Sequence, residues 1–141
     1  MNMLQCAKQQ ITELIGKAYA AAAEKGELPE GVALPGSVEI PKDTANGDYA
    51  ANYALAGAKA MRMPPRKVAE ILLANLDLSG SWFDSVEIAG PGFMNFRLGE
   101  SWYSDVIKTV VREGSDYGRS NIGEGKKLMV EFVSANPTGP M

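Results

Sequence analysis

The chain has 141 residues, an apolar share of 45%, a net charge of −3, one cysteine and no histidine. That length suits one domain, which buries roughly 68–70% of its unfolded surface, and the charge excludes bulk, non-specific attraction to nucleic acid. Without histidine there is no Ser-His-Asp or Cys-His catalysis and no histidine-bound zinc, and a lone cysteine cannot form an internal disulfide.

Leu4, Ala7, Ile11, Leu14, Ile15, Ala18, Tyr19 and Ala22 recur at steps of three and four. The spacing predicts an amphipathic helix from about Asn2 to Lys25, stopped by Gly26. Glu27 to Ser37 holds two Pro and two Gly and reads as an irregular loop. Val38-Glu39-Ile40 alternates and predicts a short strand ending at Pro41. Asp43 to Asp48 is a polar turn around Asn46-Gly47, with Asp48 expected to cap a helix. Ala51, Ala54, Leu55, Ala58 and Met61 carry that helix; Pro64-Pro65 ends it and opens another, with Val68, Ile71, Leu72 and Leu76 inward. Ser85–Ile88 and Phe93–Leu98 alternate around Gly90-Pro91-Gly92, a hairpin. A further helix opens at Glu100 or Ser101, with Trp102, Val106, Ile107, Val110 and Val111 inward and Gly114 at its end. Residues 115–125 have the composition of a linker. Leu128–Val133 is apolar on both faces, as in a strand covered on both sides, and Asn136-Pro137 and Thr138-Gly139-Pro140 form a loop after it. The expected fold is α+β, a two-layer domain with a small antiparallel sheet covered by helices.

Two features carry possible chemistry. In the second hairpin strand, a period of two puts Met94, Phe96 and Leu98 on the core face and Phe93, Asn95 and Arg97 on the other. A ring, an amide and a guanidinium in a row suit an unpaired base; the competing reading is a half-exposed sheet face with one stray Phe. Lys59, Arg62, Arg66 and Lys67 lie in a stretch, Tyr49 to Ala69, that lacks acidic residues. That tract suits a confined phosphate contact, or a merely solvated face. Asp43, Asp48, Glu87 and Glu131 are not paired at a spacing that suggests acid–base work. No metal site and no catalytic residue are expected in the chain.

Several motifs resemble the arginyl-tRNA synthetases of bacterial type, class I. Gly47-Asp48-Tyr49-Ala50, with Asn52, Ala58-Lys59, Pro65-Arg66 and Ala69, is similar to the family's N-terminal additional domain. Val86 to Phe96 is similar to that domain's second motif, and Val130 to Pro140 to the segment entering the catalytic domain. The resemblance implies a division into an additional domain at 1–114, a linker at 115–125 and the first strand and loop of a Rossmann-type catalytic domain at 126–141. It implies contact between Phe93 and Asn95 and the D-loop, or elbow, of tRNA(Arg), and an arginine pocket that includes Glu131, Ser134 and Asn136. It implies a ligase that joins arginine to tRNA(Arg) with ATP and Mg. The expected cytoplasmic location comes instead from the lone thiol, which suits a reducing compartment, and from an N-terminus without the layout of a signal peptide. The chain itself, lacking the ATP-binding turn, is expected to be an inactive N-terminal piece, a monomer without cofactor or membrane contact. The alternative is a structural domain that docks on the rest of the synthetase without touching RNA.

Overall fold

The computed structural model describes residues 2–132. Helix α1, Met3–Glu24, lays Ala7, Ile11, Ile15, Ala18 and Ala22 into the core. Asn2 caps its start by accepting from the Gln5 N–H, and Gly26, at φ 73°, follows its end. Strand β1, Val38–Glu39, is short. A 3-10 turn at Thr44–Asn46 leads into β2, Tyr49–Ala51. Helices α2, Tyr53–Met61, and α3, Pro65–Ala74, follow, then β3, Phe83–Ala89, β4, Phe93–Leu98, and helix α4, Glu100–Glu113. The strands form an antiparallel sheet in the order β1-β2-β4-β3. This is the expected α+β arrangement.

The register fixes what each face carries. Val38, Tyr49, Ala51, Met94, Phe96, Val86 and Ile88 share the core face, joined by Phe83 where β3 shifts register between Phe83 and Ser85. That shift spends one extra residue, Asp84, so Phe83 turns to the core side. There its ring meets Phe96 and Tyr49 edge-on, at centroid distances of 5.4 and 6.1 Å. Glu39, Ala50, Asn95 and Glu87 form one row across all four strands on the opposite face.

The structure departs from the sequence reading at four places. Tyr49–Ala51 is a central strand, although its alanines favour a helix; three residues are too few to show a period, and the ladder to β4 overrides propensity. Asp48 caps no helix. Its carboxylate instead accepts from the Leu98 N–H at 2.8 Å while its own N–H donates to the Phe96 carbonyl at 2.9 Å. The apolar stripe of α4 is largely uncovered: Trp102 packs on the core, but Ile107 is 64% and Val111 77% exposed, and Val110 is exposed as well. Periodicity marks an apolar face without saying what covers it. Leu128 to Phe132 is exposed and pairs with no strand among the described residues; a strand of that type needs neighbours on both sides. Val133, the last residue of that expected strand, lies outside the described residues.

Candidate nucleic-acid interface

A cavity of about 400 Å³ opens on the sheet face opposite the helical core. Its lining comes from β1 and the turn after it (Glu39, Pro41, Asn46), from Ala50 of β2, and from the β3–β4 hairpin. Ala50 makes the hollow possible: it stands between Glu39 and Asn95 in the row, and its methyl group leaves the space above it free. Asn95 is only 7% exposed, yet its side-chain amide has no hydrogen-bond partner among the described residues. Among the described residues only the Trp102 indole N–H is both wholly buried and unpaired, so the Asn95 amide reaches the solvent of the cavity, where water satisfies it and the edge of an entering ligand can take that water's place. Phe93, two residues earlier, also lines the cavity and is 40% exposed. The pair therefore offers a ring to stack on and an amide to read an edge.

The hairpin turn is held from behind. Gly92 takes φ 147°, and a Cβ there would come within 3.0 Å of the Pro65 backbone at the start of α3. Arg66, the second residue of the same helix, donates to the Gly90 carbonyl at 3.0 Å. On the other side, Gly47 takes φ 84° and packs so closely that a Cβ would lie 2.8 Å from the Phe96 carbonyl oxygen. Gly47 and Asp48 thus clamp the segment before β2 onto β4, which carries Asn95.

The residues predicted from sequence do not all meet. Phe93 and Asn95 share the cavity. Arg97 lies on the same sheet face but does not line it; its guanidinium donates to the Ala45 carbonyl at 3.1 Å and so holds the turn that carries Asn46. Of the basic tract, Arg66 touches the hairpin turn and lies 3.7 Å from Glu70, while Lys59, Arg62 and Lys67 do not line the cavity. Arg62 closes α2 in the left-handed region, at φ 54°. Glu131 is exposed and belongs to no strand; Ser134 and Asn136 lie outside the described residues. Sequence reasoning missed Glu39, Asn46 and Ala50, since strand pairing brings Glu39 and Ala50 beside Asn95, and the turn before β2 brings Asn46 to the same cavity. The alternation at Val38–Ile40 put Glu39 on a strand, but nothing local named its neighbour.

The family model of the arginyl-tRNA synthetase N-terminal domain matches residues 7–98. The arginine–tRNA ligase of Acetivibrio thermocellus is 46% identical over 140 residues, covering 99% of this chain and 25% of that protein. The corresponding ligase of Caldanaerobacter subterraneus subsp. tengcongensis is 44% identical over the same length, with the same coverages. That of Herminiimonas arsenicoxydans is 46% identical over 142 residues, covering 99% of the chain and 24% of that protein. The chain thus spans about a quarter of the length of the curated relatives it matches. Among solved structures, the arginyl-tRNA synthetase of Plasmodium falciparum superposes with a TM-score of 0.59 over 74% of this chain and 18% of that one. At 14% identity, that likeness is one of fold.

Proposed function

The chain belongs to the arginyl-tRNA synthetase family, whose N-terminal domain it carries, and we propose that it is the tRNA-recognition module of an arginine–tRNA ligase. In this reading an unpaired base from the D-loop, at the elbow of tRNA(Arg), enters the cavity beside Phe93 and Asn95. The observation that carries it is the Asn95 amide, nearly buried, unpaired and set beside an exposed ring in a cavity. Phe93 supplies stacking, and Asn95 bonds to the base edge. Arg66 and Arg97 hold the two turns that frame the site, and Lys59, Arg62 and Lys67 remain candidates for phosphate contact. The longer polypeptide joins arginine to tRNA(Arg) in the cytoplasm, as a monomer, through an arginyl-adenylate made from ATP with Mg. There Glu131, Ser134 and Asn136 contribute to the arginine pocket after a linker at 115–125.

Removing the ring tests the assignment. A stacked base is worth about 1–3 kcal/mol, so Phe93→Ala should weaken tRNA(Arg) binding by about 5- to 150-fold. Unchanged affinity would refute the cavity as the RNA site. The exposed stripe of α4 favours a second reading, a face that docks on the remainder of the synthetase. Salt separates the two: affinity through phosphates falls steeply as ionic strength rises, whereas apolar docking does not weaken.

A further inference from the structure

We propose that Arg66 and Arg97 form a phosphate clamp, each holding the RNA backbone at one end of the cavity so that the base goes in and the backbone stays out. This rests on the base-binding reading above. The two guanidinium groups are placed alike. Arg66 donates to the Gly90 carbonyl of the hairpin turn at 3.0 Å, and Arg97 to the Ala45 carbonyl of the turn before β2 at 3.1 Å. Gly90 and Asn46, the residue after Ala45, line the cavity at its two ends. Phe93, next to the hairpin turn, and Arg97 lie four positions apart on β4, which is about 13 Å of strand. A base beside Asn95 therefore has a cation beyond it in either direction.

A guanidinium carries five N–H donors in a planar fork, and a single carbonyl engages one of them. The Arg66 side chain is 59% exposed, and Arg97 is exposed as well, so the remaining donors are open to an entering group. The carbonyl fixes each fork in place without neutralising it. Glu70 stands 3.7 Å from Arg66 and is half exposed, a weak and screened pair; Arg97 is in no ion pair among the described residues. Inside the cavity the sign of charge is reversed. Among the described residues Glu39 is the one charged group in its lining, so a phosphate is repelled from the interior while the two cations at the ends attract it. That contrast orients the nucleotide, with the uncharged base inward and the charged backbone outside. A fork already held in place loses less freedom on bonding a phosphate than a free side chain does. The side chains of Lys59, Arg62 and Lys67 have no such anchor among the described residues.

The test titrates the chain with tRNA(Arg) transcript at several salt concentrations and reads the slope of log affinity against log salt. Each phosphate contact with a single-stranded segment contributes about −0.7 to that slope. Arg66→Gln and Arg97→Gln should each flatten it by about 0.7, and the double variant by about 1.4, with weaker binding at low salt. Arg66→Lys and Arg97→Lys keep the charge and lose the fork, so they should keep the slope while binding more weakly. Phe93→Ala should weaken binding at every salt concentration and leave the slope unchanged. If the arginines only brace their turns, the Gln and Lys variants lose affinity alike and the slope stays as it was; that result overturns the clamp. If Phe93→Ala binds as the unaltered chain does, the base-binding reading itself falls, and the clamp with it. Both arginines are exposed, so the substitutions leave the core untouched.

Discussion

Tyr49 sits beneath the candidate site, at 1% exposure, with its hydroxyl 3.5 Å from the Leu4 carbonyl oxygen. Burial, and then the neighbouring Asp48 carboxylate, raises its pKa above the ordinary 10.0. The folded chain therefore holds the phenolic proton more tightly than the unfolded chain. The resulting stabilisation is whole below pH 10 and is lost as pH climbs through the higher folded value. Denaturant midpoints followed into alkaline buffer should fall steeply for the chain and less steeply for Tyr49→Phe. Parallel decline of the two would mean that other groups govern the alkaline limit. Asp105 shows the opposite sign: hydrogen bonds from Trp82 and then Lys108 lower its pKa, so its contribution is lost as pH falls below the carboxylate range.

At the scale of elements, the motif Gly47-Asp48-Tyr49-Ala50 is a device for seating β2 against β4. Gly47 allows the close approach, Asp48 bonds both to and from β4, Tyr49 fills the core, and Ala50 keeps the cavity open. Gly47→Ala meets both a left-handed backbone and a carbonyl oxygen at 2.8 Å. It should cost about 1–3 kcal/mol in unfolding free energy, read from denaturant titration; a loss within experimental error would show that the segment can move aside. Asn52 performs a similar task one element earlier, accepting from the Ser37 N–H at 2.7 Å and so fixing the entry to β1. The strand that holds Glu39 is placed by these ties more than by its own two residues. Helix α4 depends on a smaller set of bonds, among them the Trp82 indole N–H donating to Asp105 at 3.0 Å. Its exposed apolar stripe is thus a surface and not part of this core.

For the whole molecule, the helices α1, α3 and α4 and the hairpin were legible because each repeats its period long enough to be counted. Phe93 and Asn95 were legible for the same reason, as alternate residues of one strand. Strand β2 was not, nor was the row from Glu39 through Ala50 to Asn95, because a register between distant segments leaves no local trace. The terminal apolar run and the α4 stripe misled in a common way: an apolar pattern states that a face needs covering but not by what. The central claim is that the open sheet face, and not the basic tract alone, receives tRNA. Backbone amide shifts of the chain, followed by nuclear magnetic resonance as tRNA(Arg) transcript is added, test it most directly and register even weak binding. Largest shifts at Glu39, Ala50, Phe93 and Asn95 are predicted, and their loss in Phe93→Ala. Shifts confined to Lys59, Arg62 and Lys67, or to the α4 stripe, would contradict the account.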